Sequence, residues 1–273
     1  MLQLPDEDAE RIGKWAQDLL LVVSPQPIDE DGKYDGPSTP LSEEERLAPW
    51  TGLAEGRRYF GELYDARSVE PEEDIVSSLA GAIDPSGSPI LTRNQVITHM
   101  IEMITAGTDT TANLMGEMIR FLCEDRDQLE LLRADPDLWE NAVEESLRRR
   151  MPAVGSFRIT TKDVEVSGTT IPSNSLVMLA WISGGNDEEK FACPHAFDVK
   201  RENASDHIAF GRGRHFCIGS PVARLEARVA VRRLFERIPD LRLVEGQKLE
   251  YYMALQARML KSLKIEWTPD ESA

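Results

Sequence analysis

The sequence predicts a mainly α-helical protein with a small β component. Three observations carry that expectation. Apolar residues recur at helical spacing through most of the chain up to Pro152. Short β-branched stretches between Gly and Pro turns follow. A glycine-punctuated loop, Phe210 to Gly219, then leads straight into another amphipathic helix. At 273 residues the chain can bury a substantial core, as one large domain or two small ones, and a single domain over 1–273 is expected.

Asp6 to Val23 reads as a first amphipathic helix, and the Pro- and acid-rich stretch Ser24 to Pro40 has loop composition. A second helix is expected from near Leu41 to Arg67, and a shorter one after Pro71 with Ile75, Val76, Leu79 and Ala80 on its buried side. Asp84-Pro85-Ser86-Gly87 is a turn.

The strongest helical signal runs from Leu91 to Leu122. Thr92 and Gln95 form a capping box. Ile97, Met100, Ile101, Ile104, Thr108, Thr111 and Met115 make one stripe. Its centre, Ala106-Gly107-Thr108-Asp109-Thr110-Thr111, is poor helix material, because glycine alone costs about 1 kcal/mol against alanine. A helix weakened at its middle points to a functional demand there. The plainer alternative is a small-residue notch for close packing, with hydroxyls bonded to their own backbone.

Asp135 and Pro136 are expected to open the next helix as cap and first-turn residue, and Pro152 to close it. Leu138, Ala142 and Glu145 share a face, so Glu145 is expected to be partly buried, with Arg148 three residues on as its partner. Surface pairing, including Glu144 with Arg148, is the bland reading of such charges. Phe157 to Thr160, Val164 to Val166 and Leu176 to Ala180 then form a small sheet, separated by turns at Gly168 and at Pro172-Ser173-Asn174.

In the loop Phe210-Gly211-Arg212-Gly213-Arg214-His215-Phe216-Cys217-Ile218-Gly219 the glycines permit a tight fold around one cysteine. Ser220 and Pro221 start a helix whose N-terminus favours the Cys217 thiolate. A thiolate beside a glycine-lined flat slot suits haem ligation. A buried structural cysteine is one alternative. Zinc, shared between Cys193-Pro194-His195 and His215-Phe216-Cys217, is another, which the single-residue spacings disfavour.

This loop, with Ala223 after it, resembles the haem signature of the cytochrome P-450 superfamily, the haem-thiolate monooxygenases, of the soluble bacterial type. The resemblance implies that Cys217 is the axial iron ligand, that His215 bonds a haem propionate and that Phe210 packs near the sulfur, with Gly211, Gly219 and Ala223 completing the signature. The segment from Ala106 to Thr111 is similar to the family's oxygen-activation motif. Ala106 and Gly107 would then lie beside the haem, with Asp109 relaying protons and Thr110 hydrogen-bonding dioxygen. Glu145 and Arg148 match the family's Glu-x-x-Arg signature, and Arg201 matches the arginine that completes this network; all three are given a structural role. Arg158 is implied as a second propionate contact. Gly185-Asn186-Asp187 departs from the family's Asn-Arg-Asp.

The fold so implied is the C-terminal part of the P-450 fold, a long helix at about 91–122 over the haem, with the N-terminal portion absent ahead of Met1. The implied cofactor is heme b. Electrons from NAD(P)H would arrive through a ferredoxin-type donor and its reductase, since no nicotinamide or flavin motif is present. Dioxygen and a small apolar substrate are the implied reactants. The alternative function is a truncated, non-catalytic haem-binding or scaffold protein.

The net charge of −17 disfavours nucleic acid and anionic membrane as partners. Without a bilayer-length apolar run or the layout of a leader peptide, the expected location is the cytoplasm. Three cysteines, Cys123, Cys193 and Cys217, fit a reducing compartment. Arg224, Arg228 and Arg232 form an i,i+4 stripe. It reads either as a docking face for an acidic iron–sulfur protein or as a solvated face neutralised by Glu226 and Glu236.

Overall fold

The computed structural model describes residues 4–23, 43–254 and 257–268; the loop expected from Ser24 to Pro40 lies outside the described residues. Contacts cluster within two compact units, 1–109 and 110–273.

The first unit is helical. A 3-10 turn at Asp6–Asp8 leads into α1 (Ala9–Val23), followed by α2 (Glu43–Val69), α3 (Ile75–Ala80) and the first part of α4 (Arg93–Glu124). Its core joins Trp15, Ala16, Phe60 and Val76 to Ile97, Met100, Ile101 and Ile104. Gly56 of α2 is what allows this approach, since a Cβ there would already press on the Trp15 ring at 3.3 Å. α3 starts at Asp74, whose carboxylate accepts the Ser77 N–H at 2.7 Å and is gripped by Arg67 at 2.6 Å.

The capping box at the head of α4 is formed in both directions. Thr92 N–H donates to Gln95 Oε1 at 2.8 Å, and Gln95 N–H donates to Thr92 Oγ1 at 3.3 Å. α4 then runs unbroken through the glycine-containing centre. The Thr105 and Thr108 hydroxyls donate to the carbonyls of Ile101 and Ile104, the local back-bonding that hydroxyl side chains adopt inside helices. Thr108, expected on the buried stripe, is exposed, because the first unit's core ends at Ile104.

The second unit takes the rest of α4, then α5 (Arg126–Ala134), α6 (Leu138–Arg149), α7 (Trp181–Gly184) and α8 (Ser220–Arg237). Leu122, Leu129, Leu132, Leu147, Val231 and Phe235 are among the side chains of its core. α6 begins two residues later than expected. Asp135 spends its carboxylate on the Asp137 N–H at 3.2 Å and its carbonyl on Leu138 N–H at 3.2 Å, so Asp135 and Pro136 form a turn ahead of the helix.

In place of one small sheet, the described residues hold four antiparallel pairs. β1 (Ser156–Ile159) pairs with β4 (Leu176–Leu179), and β2 (Val164–Val166) with β3 (Thr169–Ile171). β5 (Arg242–Leu243) pairs with β8 (Ile265–Glu266), and β6 (Tyr251–Ala254) with β7 (Ala257–Leu260). Ser167 and Gly168, with φ of 47° and 77°, make the tight two-residue loop between β2 and β3 that the right-handed twist of strands prefers. Asn113 of α4 accepts the Leu260 N–H at 2.6 Å and so ties β7 to the helix.

Candidate functional site

The loop from Phe210 to Gly219 is built from consecutive turns. Gly211 and Gly213 adopt φ of 70° and 75°, which side chains resist, and Gly213–His215 forms a 3-10 turn. Cys217 N–H donates to the Phe210 carbonyl at 3.0 Å, and the Cys217 carbonyl accepts from Ser220 N–H at 3.3 Å. The cysteine is therefore fixed on both sides immediately before α8, whose first turn contains Pro221. Its side chain is exposed. Phe216 and Ile218 beside it are 51% and 95% exposed, unusual for large apolar side chains in adjacent loop positions. A Cβ on Gly219 would stand 3.9 Å from the sulfur, an ordinary contact, so the glycine leaves that side of the thiol bare without being required by the chain's own packing. Ala223 N–H donates to the Gly219 carbonyl at 2.9 Å and continues the turn into the helix. An exposed sulfur flanked in sequence by two exposed apolar side chains, just ahead of a helix N-terminus, fits an iron porphyrin.

Phe210 anchors the start of the loop. Its ring lies 6.3 Å from that of Phe216, and the Arg224 guanidinium sits 4.5 Å above it. Arg224 is held by Glu144 of α6 through two bonds of 2.6 and 2.9 Å. That carboxylate raises the Arg224 pKa further, with a smaller contribution from the Cys217 sulfur. Glu144 also bonds His207 Nε2 at 3.1 Å. Burial opposes its ionisation, but the bonds from His207 and Arg224 outweigh burial and hold its pKa down at about 2. Sequence reasoning passed over His207 and offered Glu144 only as a surface partner of Arg148, whereas Arg148 bonds Glu145 and Glu144 turns to His207 and Arg224. The pairing of Glu144 with Arg224 spans 80 residues, and helical i,i+4 logic sees only neighbours on one helix.

Glu145 and Arg148 are completely buried, more than expected, and are bonded at 2.7 and 2.9 Å. Arg201 joins them, its Nε 3.1 Å from each Glu145 oxygen. Arg148 also donates to the carbonyls of Gly185, Pro194 and Ala196, which binds α6 to the stretch leading toward the cysteine loop.

Arg158 and His215 are exposed; Arg158 donates to Ser156 Oγ at 3.1 Å and to its neighbour's carbonyl at 2.7 Å. Thr110 opens the second unit, while Ala106, Gly107 and Asp109 belong to the first. A Cβ on Gly107 would meet nothing within 4 Å, and burial raises the Asp109 pKa. The arginine stripe is neutralised differently from expectation. Arg224 pairs with Glu144, Arg228 with Glu140 and Arg232 with Glu236, so two of the three partners come from α6 and Glu226 is not one of them. α6 and α8 pack against each other, which brings those acids into reach.

The family model described as Cytochrome P450 matches residues 132–248. The chain is 40% identical over 219 residues to the cytochrome P450 monooxygenase PikC of Streptomyces venezuelae, covering 80% of this chain and 52% of that protein. It is 32% identical over 275 residues to the vitamin D(3) 25-hydroxylase of Pseudonocardia autotrophica, covering 98% of this chain and 62% of that one. The chain thus spans little more than half the length of these relatives. Among solved structures, CYP109E1 from Bacillus megaterium in complex with testosterone is similar with a TM-score of 0.83 at 28% identity, over 98% of this chain and 68% of that one. P450BioI in complex with an acyl carrier protein ligated to hexadec-9Z-enoic acid gives 0.82 at 29% identity, over 98% and 64%.

Proposed function

The chain belongs to the cytochrome P450 family, and from that membership we propose that it is a haem-thiolate monooxygenase acting on a small apolar substrate. The exposed Cys217 sulfur, set by its turn bond to Phe210 at the head of α8, carries the proposal. Heme b supplies, when bound, an iron centre at which dioxygen is activated and O–O cleavage is favoured by thiolate donation. Cys217 is assigned as its ligand, Phe210, Gly211, Gly219 and Ala223 as the backing of that ligand, and His215 and Arg158 as the hydrogen-bond donors that meet its carboxylates. Glu145, Arg148 and Arg201 hold the segment from Gly185 to Asp198 that leads toward the cysteine loop.

Asp109 is assigned the proton-carrying role. Its burial makes the carboxyl hold a proton more readily than a solvated aspartate, as a relay group requires. The Thr110 hydroxyl, able both to donate and to accept, is its partner in the relay. Ala106 and Gly107 keep the helix surface small beside them. Electrons come from NAD(P)H through a ferredoxin-type protein and its reductase in the cytoplasm, a reading that rests on family membership. Among the described residues no helix is long and apolar enough to cross a membrane. The complexes of similar structures with testosterone and with a fatty acyl carrier support an apolar substrate class.

The test is the visible spectrum of the hemin-loaded, reduced and carbon-monoxide-treated protein. A far-red-shifted Soret band is expected, and Cys217→Ala removes it. A colourless protein, or a histidine-like band indifferent to that substitution, would overturn the assignment. The second reading is a haem-binding or scaffold protein without turnover. Substrate-dependent product formation in a reconstituted electron-transfer system separates the two.

A further inference from the structure

Glu144 precedes Glu145 on α6, yet its bonds leave the helix in two directions. It takes both bonds of Arg224 on α8, at 2.6 and 2.9 Å, and the bond from His207 at 3.1 Å. His207 Nδ1 accepts the Ala209 N–H at 3.1 Å. A ring nitrogen that accepts carries no proton, so the imidazole proton is on Nε2 and is donated to Glu144. Arg224 covers the Phe210 ring, and the Phe210 carbonyl receives the Cys217 N–H. One carboxylate on α6 therefore grips the approach to the cysteine loop through His207 and the helix that follows it through Arg224. Arg224 stands in the second turn of the helix that follows Cys217, over the ring of the residue whose carbonyl fixes that cysteine, which keeps its charge on the side of the sulfur.

We propose that Glu144 is a positioning residue for Cys217: it anchors the loop through His207 and, by orienting and neutralising Arg224, sets how much positive charge the sulfur feels. The electrical half of this proposal rests on the haem-thiolate reading; the anchoring half does not. A cation left uncompensated beside the ligand stabilises the ferrous over the ferric state, because reduction adds a negative charge. Removing the cation has the opposite sign.

Glu144→Gln keeps the shape of the side chain and deletes its charge, while Arg224→Gln deletes the cation. In hemin-loaded protein the iron(III)/iron(II) potential is expected to rise in Glu144→Gln and fall in Arg224→Gln. The double variant should return close to the native value, because it removes both members of the pair and the two opposite changes in charge cancel. In haem-free protein, amide hydrogen exchange across 207–217 is expected to quicken about tenfold in Glu144→Gln, while amides near Arg148 and Arg201 keep their native rates. Glu144→Asp should recover part of that protection. Shifts of one sign in the two single variants would overturn the electrical role, and unchanged exchange across 207–217 would overturn the anchoring role. If unaltered protein fails to ligate hemin through Cys217, the monooxygenase reading fails, and the exchange experiment still decides whether Glu144 anchors the loop.

Discussion

At Arg148 every N–H of the guanidinium has an acceptor: two on Glu145, and the carbonyls of Gly185, Pro194 and Ala196. Glu145 in turn accepts from Arg148, from Arg201 and from the Asp198 N–H at 3.0 Å. A fully buried pair tolerates ionisation only with such complete pairing, so deleting one partner exposes the whole desolvation cost of the other. Glu145→Ala is expected to lower the free energy of unfolding by about 3–5 kcal/mol. Urea titration monitored by circular dichroism would measure this, and a loss well under 1 kcal/mol would contradict it. Glu144 governs a different observable. Its pKa is depressed from 4.5 to about 2 in the folded chain, so its contribution is complete above the unfolded value and disappears as pH falls toward the folded one. Solvent reaches part of this site, which limits the effect to about 1–3 kcal/mol. Glu144→Gln should therefore cost stability near neutrality and little once pH falls below about 2, a flattened acid limb in urea midpoints taken across pH. Glu145, Arg148 and Arg201 were legible in the sequence, because three-residue spacing on a helix is local and the third residue followed from family resemblance. The partners of Arg224 were not, since they depend on how α6 meets α8.

Among elements, the long helices announced themselves; α5, α7 and most of the strands did not. α4 could be read from its stripe and its capping box, and the bonds of Thr92 and Gln95 show why its start is sharp. The strands β5 to β8 are between two and four residues long, too short for an alternating pattern to rise above chance. The start of α6 was misplaced because an Asp-Pro pair serves equally as a helix opening or as a turn, and local bonds at Asp135 select the turn. Gly185, next to α7, shows a dependence between elements that no single-element pattern reveals. A Cβ at this position would lie 2.4 Å from the Arg148 carbonyl oxygen, a backbone atom that cannot swing aside. Gly185→Ala is expected to push α7 away from the end of α6 and to destabilise the protein by about 2–4 kcal/mol, seen as a lower melting temperature in calorimetry. An unchanged melting temperature would show that the two elements can separate without loss.

Across the whole molecule, 48 acidic side chains face 31 basic ones. Many of the arginines are already committed, as in the pairs joining α8 to α6, so the surplus of carboxylates repels itself. Raising sodium chloride from about 20 to about 200 mM is expected to raise the melting temperature by a few degrees through screening. A fall would mean that the ion pairs lose more to salt than the repulsion does. The mainly helical class was legible at this scale because helical periodicity dominates the chain. The partition at 109–110 was not, because the apolar stripe of α4 continues across it. Arg126 donates to the Leu241 carbonyl at 2.8 Å across 115 positions, and Arg133 to that of Pro239 at 2.7 Å across 106. Such distant partners have to diffuse together before either bond rewards the encounter, so chain-closure entropy weighs on the folding rate. After dilution from denaturant, α5 should acquire its amide protection early as a local helix, whereas docking of the 239–241 segment onto it should form a later, slower kinetic phase.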